Sequence, residues 1–105
     1  MDKYTVDFSK VEHYYQIHEV LKRDLEFPDY YGGNTDALWD CLTDILGEPS
    51  DIRIVGFEKI AGRFKSAWDD VIRIMKKVKH AYDDVFADTF TVTLVYEDGR
   101  LEEIK

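Results

Sequence analysis

The sequence is poor in cysteine and has no long hydrophobic run, and each shortage excludes a class of protein. Cys41 is the only cysteine among 105 residues, which excludes an internal disulfide and a cysteine-based zinc site. No basic stretch leads into an apolar run near the N-terminus, and no segment approaches the roughly 18 apolar residues that cross a membrane. We therefore expect a cytoplasmic protein that has no membrane partner.

Motifs for catalysis and cofactor binding are also absent from the sequence. It has no Gly-rich phosphate loop and no G-x-S-x-G element, and its three histidines have no His or Cys partner at metal-ligand spacing. Asp36 and Asp40 could in principle form an acid/base pair or a Mg²⁺ site, but we expect their helix to present them on a convex surface. We predict that the protein is not an enzyme and uses no metal or cofactor.

Length and composition favour one folded domain. The chain has 45% hydrophobic and 14% aromatic residues, with only 6 glycines and 2 prolines. A disordered chain would contain fewer apolar residues, and 105 residues suffice for one core but not for two. We therefore predict a single domain over residues 1–105 that is a monomer when free.

Negative charge is concentrated in one half of the chain. The net charge is −8, and residues 1–56 contain 5 Lys or Arg against 12 Asp or Glu. Residues 24–52 contain eight acids and no Lys, Arg or His. A surface that carries only negative charge repels nucleic acid and attracts basic partners. The alternative is a solvated surface that only keeps the protein soluble.

Periodic apolar residues predict three main helices. Ser9 and Glu12 have capping-box spacing before a helix of about 10–25. Asn34 is the expected N-cap of a second helix over 35–46, in which Leu38, Cys41, Leu42 and Ile45 form the buried face. A helical turn at 57–62 precedes a long helix that opens at Ser66, with Trp68, Val71, Ile72, Met75 and Tyr82 on one face.

Strands are predicted between these helices. Alternating residues indicate a strand at 3–8, and β-branched runs indicate strands at 52–57 and 89–96. Asp98-Gly99 predicts a turn into a short edge strand at 101–104. The order predicts an α/β fold, with a small three-stranded parallel sheet flanked by about four helices and a short C-terminal edge strand.

The second helix carries an acidic stripe, which we define as Asp36, Asp40 and Asp44. These residues lie at i, i+4 and i+8, opposite the apolar face, and like charges at this spacing repel one another. Tyr30, Tyr31 and Trp39 stand close by in the sequence. Aromatic side chains beside exposed carboxylates are typical of a protein-binding surface.

Residues 27–43, from Phe27-Pro28-Asp29-Tyr30-Tyr31-Gly32-Gly33-Asn34 to Trp39-Asp40-Cys41-Leu42-Thr43, resemble the signature of the barstar family. A fainter likeness covers residues 17–22. In that family, a loop and the following helix fill the active site of a bacterial guanyl-specific ribonuclease. The resemblance implies a basic ribonuclease, barnase-like or related, as the partner.

The resemblance also implies roles for individual residues. Asp40 matches the carboxylate that pairs with the catalytic cations of the nuclease, and Asp36 matches a second acidic contact. Tyr30 matches an aromatic residue that packs over the catalytic histidine. The full set of expected contacts is Tyr30, Tyr31, Gly32, Asn34, Asp36, Ala37, Trp39, Asp40 and Asp44, of which Gly32, Asn34 and Ala37 match turn and close-packed positions.

The chain departs from the family pattern at two sites and in the added length of residues 80–88 and 97–105. Lys77 stands where the family presents an acidic contact, and Asp44-Ile45 replaces a Gly-Trp pair. Glu48-Pro49 matches a position where the family has a cis bond. The reversed charge at Lys77 predicts a nuclease other than barnase, and leaves open an acidic immunity module for a different basic toxin.

Overall fold

The computed structural model describes residues 2–45, 49–81 and 90–105, in which helices alternate with the strands of one sheet. The elements in chain order are β1 (Asp2–Asp7), α1 (Gln16–Asp24), α2 (Thr35–Ile45), β2 (Ser50–Val55), α3 (Phe57–Arg63), α4 (Lys65–Ala81), β3 (Phe90–Val95) and β4 (Leu101–Glu103). No helix in these ranges is both long and apolar enough to cross a membrane.

The sheet has the order β1-β2-β3-β4. The first three strands are parallel and in register, so that Val6, Ile54 and Leu94 lie side by side. β4 pairs antiparallel with β3, with Leu101 opposite Val95. The predicted α/β class, the three parallel strands and the C-terminal edge strand are confirmed.

Only one face of this sheet is buried. Ile52 and Ile54 are fully buried, whereas Arg53 between them is exposed. The buried residues of all three parallel strands share that face, because the strands are in register. Over residues 2–45, 49–81 and 90–105 the fold therefore has two layers, and the outer face of the sheet is mostly polar.

The core joins the buried sheet face to α2 and α4. Leu38, Cys41 and Leu42 are buried, as the periodicity of α2 predicts. On α4, Trp68 packs edge-on against Phe8, with ring centroids 6.0 Å apart. Of the predicted α4 face, Trp68, Val71 and Met75 are buried, Ile72 is half-buried, and Tyr82 lies outside the described residues.

The predicted start of α1 is wrong by six residues. The helix begins at Gln16, and the side chain of Gln16 accepts hydrogen bonds from the backbone N–H groups of Glu12 (2.7 Å) and His13 (2.8 Å). The Ser9 N–H group donates to Asp7 Oδ1 at 2.8 Å. These side-chain bonds stabilise turns over the segment that the capping-box spacing assigned to a helix.

The second strand also ends earlier than predicted. It covers Ser50–Val55, and Gly56 then has a φ of 68° in the left-handed region, which ends the strand and lets α3 begin at Phe57. The long helix begins at Lys65, one residue before Ser66. The bond between Glu48 and Pro49 involves a residue outside the described ranges.

Candidate binding surface

The start of α2 is fixed by the residue that the sequence predicts as its cap. Asn34 Oδ1 accepts a hydrogen bond from the Ala37 N–H group at 2.8 Å, and the Asn34 carbonyl accepts one from the Leu38 N–H group at 2.9 Å. With Leu38 buried, the acidic stripe points away from the core, and all three of its aspartates are exposed. Ala37 is half-buried beside them.

The carboxylates of the acidic stripe have no partner in the described part of the chain: Asp36, Asp40 and Asp44 make no side-chain hydrogen bond and no ion pair there. Other acidic residues do form ion pairs: Asp24 Oδ1 lies 2.8 Å from Arg23 Nε, and Asp98 Oδ2 lies 3.0 Å from Arg100 Nε. The stripe therefore presents uncompensated negative charge to the solvent, at the cost of mutual repulsion within the helix.

The two adjacent tyrosines of the loop before α2 have different environments. Tyr30 is 77% exposed. Tyr31 is half-buried, and its Oη lies 2.6 Å from Nδ1 of His18, while its ring centroid lies 4.9 Å from that of Phe27. Tyr31 therefore anchors the loop to α1, and Tyr30 is the ring that is free to contact another molecule.

Burial shifts both ionisable groups of this anchor toward their neutral forms. It raises the pKa of the Tyr31 phenol, with a smaller contribution from Cys41, and it lowers the pKa of His18. Both groups are then uncharged at neutral pH, so the bond joins a neutral phenol to a neutral imidazole. No pattern in the sequence predicted this contact between His18 and the loop.

Of the two loop glycines, Gly33 has the stricter backbone requirement. Its φ is 70°, a conformation that favours glycine, whereas Gly32 has no such angle. A Cβ on Gly32 would meet the Ala37 side chain at 3.6 Å, which is ordinary contact. The contact residues predicted from the sequence include Gly32 and omit Gly33. The Gly32-Gly33 pair is the sequence feature that could have indicated Gly33.

Trp39 lies on the flank of α2 that faces α4. It is half-buried, and Lys77 Nζ stands 5.2 Å from the centroid of its ring. This distance is that of a cation–π contact, which partly covers the indole. Lys77 therefore places a positive charge against Trp39, and Trp39 contributes more packing than free surface.

The thiol of Cys41 lies beneath the same helix. It is buried, and burial together with the charges of Asp44 and Asp40 raises its pKa. A raised pKa disfavours the reactive thiolate. Cys41 therefore belongs to the packing that supports the stripe, in agreement with the core position predicted for it.

Two comparisons with known proteins bear on this surface. Residues 1–95 match a family model described as Barstar (barnase inhibitor). The chain is also similar to a Bacillus subtilis (strain 168) protein named "Putative ribonuclease inhibitor YrdF", with 37% identity over 86 residues that cover 82% of this chain and 94% of that protein. Both matches include the whole loop and α2.

Proposed function

Because the chain belongs to the barstar family, we propose that it inhibits a basic bacterial ribonuclease by binding over the active site of that enzyme and excluding RNA. The acidic stripe and the loop before it form the contact surface. The carboxylates of the stripe occupy the place of RNA phosphates, and the protein itself catalyses no reaction.

The observation that best supports this proposal is the unpaired state of the acidic stripe. Three exposed carboxylates that have no partner among the described residues cost the helix stability, because each repels the next at i+4. The same carboxylates gain favourable interactions when a partner brings cations to them. A ribonuclease active site offers such cations, since it must bind the phosphates of its substrate.

Individual roles follow the family resemblance. Asp40 pairs with the catalytic cations of the nuclease, Asp36 forms a second acidic contact, and Tyr30 packs over the catalytic histidine. The high exposure of Tyr30 suits this role. The half-buried anchor of Tyr31 and the cap formed by Asn34 hold the loop and helix in one arrangement before binding, which lowers the entropy lost on association.

Lys77 directs the choice of nuclease. Its ammonium group is held against Trp39 at the border of the stripe, where the family pattern has an acidic contact. A partner with a basic group at this position would be repelled, whereas a partner with an acidic or neutral group would not. The cognate nuclease therefore differs from barnase where it meets α4.

The test is inhibition of RNA hydrolysis by a panel of basic bacterial ribonucleases related to barnase, because Lys77 disfavours barnase itself. The Asp40→Ala variant should weaken inhibition by orders of magnitude, since the cations of the enzyme lose their partner while they stay desolvated. Barnase–barstar is itself the reference case for this magnitude. The Asp36→Ala and Tyr30→Ala variants should weaken inhibition substantially.

Glu103→Ala is the matched control. Glu103 is exposed on β4, its carboxylate makes no hydrogen bond or ion pair within the described residues, and its loss changes the net charge by the same amount. Asp51 is a poorer control, because its carboxylate accepts a 2.7 Å hydrogen bond from Thr91. Equal inhibition by Asp40→Ala and Glu103→Ala would mean that net charge, and not the stripe, determines binding.

A further inference from the structure

The second half of α4 is strongly basic, although the whole chain has a net charge of −8. Residues 71–81 contain four Lys or Arg and no Asp or Glu. Arg73 lies 3.5 Å from an aspartate of the same helix, and Lys79 donates a 2.9 Å hydrogen bond to a backbone carbonyl of β3. The other two, Lys76 and Lys77, are exposed and form no ion pair among the described residues. We call Lys76 and Lys77 the basic pair.

The basic pair and the acidic stripe lie on neighbouring helices, and they do not neutralise each other. α2 packs on α4, and Lys77 Nζ stands 5.2 Å from the ring centroid of Trp39. Asp40 directly follows Trp39 in α2, and both Lys77 and Asp40 are exposed. No ion pair joins residues 35–45 to residues 65–81. This face of the protein therefore has a negative flank and a positive flank, with one half-buried aromatic ring between them.

A face with this pattern of charge is complementary to itself. A two-fold rotation about an axis near Trp39 exchanges the flanks, so that the positive flank of each copy meets the negative flank of the other. Symmetric dimers use the same patch on both copies, and every contact in such an interface occurs twice. A central aromatic ring within a polar rim is also a common composition of protein interfaces. A second copy of this chain is therefore a partner whose charges fit both flanks.

We propose that two copies of this chain form a two-fold dimer through α2 and α4, in which Lys77 of each copy faces Asp40 of the other. The net charge of −8 on each copy opposes their approach, so the dimer forms only at high concentration. Length and composition predict a monomer, because they do not reveal how α4 packs on α2. The dimer does not depend on the proposed function, but it covers the acidic stripe, so a copy in the dimer cannot also bind a ribonuclease through that stripe.

Sedimentation velocity at constant physiological salt is the first test. The weight-average sedimentation coefficient of the wild-type chain should rise from the monomer value at about 10 µM toward the dimer value at about 1 mM. Lys77→Glu should raise the dissociation constant at least about tenfold, because it sets like charges against each other at two symmetric places. Lys3→Glu makes the same change in net charge at an exposed position on β1 and should alter that constant less than about threefold. A sedimentation coefficient that does not rise with concentration, or equal losses in the two variants, would overturn the inference.

A mixture of two charge-reversed variants tests which residues meet. Asp40→Lys and Lys77→Glu each place like charges across the two-fold axis, so neither variant should dimerise well alone. In an equimolar mixture, the contacts between the two variants join opposite charges, and the mixed dimer should form with an affinity within about threefold of wild type. Glu103→Lys in place of Asp40→Lys should give no such gain, since Glu103 lies on β4. The contact between Lys77 and Asp40 is refuted by the absence of any gain in the first mixture, or by an equal gain in the second.

Tryptophan emission gives an independent readout of the same contact. The chain has two tryptophans, of which Trp68 is buried in the core and Trp39 is half-buried on the proposed face. Dimer formation covers Trp39, so the emission maximum should move to shorter wavelength as the concentration is raised, in parallel with the sedimentation coefficient. A dimer that forms without this shift would use a different face and would contradict the proposal.

Three further outcomes separate the dimer from other uses of this face. If the wild-type chain stays monomeric and binds a short single-stranded RNA that Lys77→Glu no longer binds, the basic pair binds nucleic acid and the dimer is wrong. If the chain inhibits ribonucleases in an Asp40-dependent way and stays monomeric at every concentration, the proposed function is supported and the dimer is wrong. If it dimerises through Lys77 and Asp40 and inhibits no ribonuclease, the dimer is supported and the proposed function is wrong.

Discussion

Replacing Tyr31 by phenylalanine would remove one oxygen atom from the anchor of the binding loop and leave its ring packing intact. The lost atom forms a 2.6 Å hydrogen bond with Nδ1 of His18, and the ring contact with Phe27 remains. A hydrogen bond of this kind contributes about 0.5–1.5 kcal/mol net, and an unsatisfied buried partner adds to the cost. Since His18 is only half-buried and water can reach it in part, we expect Tyr31→Phe to cost about 1–2 kcal/mol of unfolding free energy.

Urea denaturation followed by tryptophan fluorescence measures this cost. The midpoint should fall while the slope of free energy against urea concentration stays constant, because the folded and unfolded surfaces change little. Tyr14→Phe is the matched control, since the Tyr14 hydroxyl has no partner in the described part of the chain and its removal should cost less than about 0.5 kcal/mol. Equal stability of the two variants would refute the idea that Tyr31 anchors the loop through its hydroxyl group.

Four further predictions concern pH, backbone geometry, charge and catalysis. Folding lowers the pKa of His18 below its usual value near 6.5. The stability that neutral His18 contributes should therefore be complete above about pH 6.5 and be lost as the pH falls through the pKa of the folded state. His18→Gln should remove this pH dependence from a plot of unfolding free energy against pH. Gly56→Ala should lower the free energy of unfolding by about 2–4 kcal/mol in urea denaturation, because φ at Gly56 is 68° and a Cβ there would lie 2.5 Å from the Ser9 backbone nitrogen. Gly62→Ala, in open space on α3, should raise the free energy of unfolding by about 0.5–1 kcal/mol. In stopped-flow binding to a basic ribonuclease, added salt should slow association far more than dissociation, and salt-independent association would contradict steering by the acidic stripe. The purified chain should hydrolyse no RNA with or without Mg²⁺, and turnover abolished by Asp40→Asn would refute the inhibitor proposal.

The part of the fold that local sequence patterns control was predicted well. The start of α2 follows from Asn34 and the spacing of Leu38, Cys41 and Leu42, and each of these is a short-range signal. The predicted start of α1 was wrong because two features compete for the same segment. One is the capping-box spacing of Ser9 and Glu12, and the other is the Gln16 side chain, which accepts a hydrogen bond from the preceding Glu12 N–H group. Spacing alone does not decide between them.

The candidate site was predictable as a list of residues but not as an arrangement. Tyr30 and Tyr31 are chemically identical in the sequence, and only the turn between Phe27 and α2 decides which ring is exposed and which packs half-buried against His18. The contact of Lys77 with Trp39 depends on how α4 packs on α2. Such contacts between distant elements leave no periodic signal in either segment.

The edges of the sheet limit how this protein can associate with copies of itself. A six-residue apolar strand such as β3 would be a template for strand addition if it stood at an edge. β4 covers it with only three residues, including the exposed Glu102 and Glu103. At the opposite edge, β1 begins with the charged pair Asp2 and Lys3. These charged residues at both edges disfavour the addition of a strand from another copy of the chain.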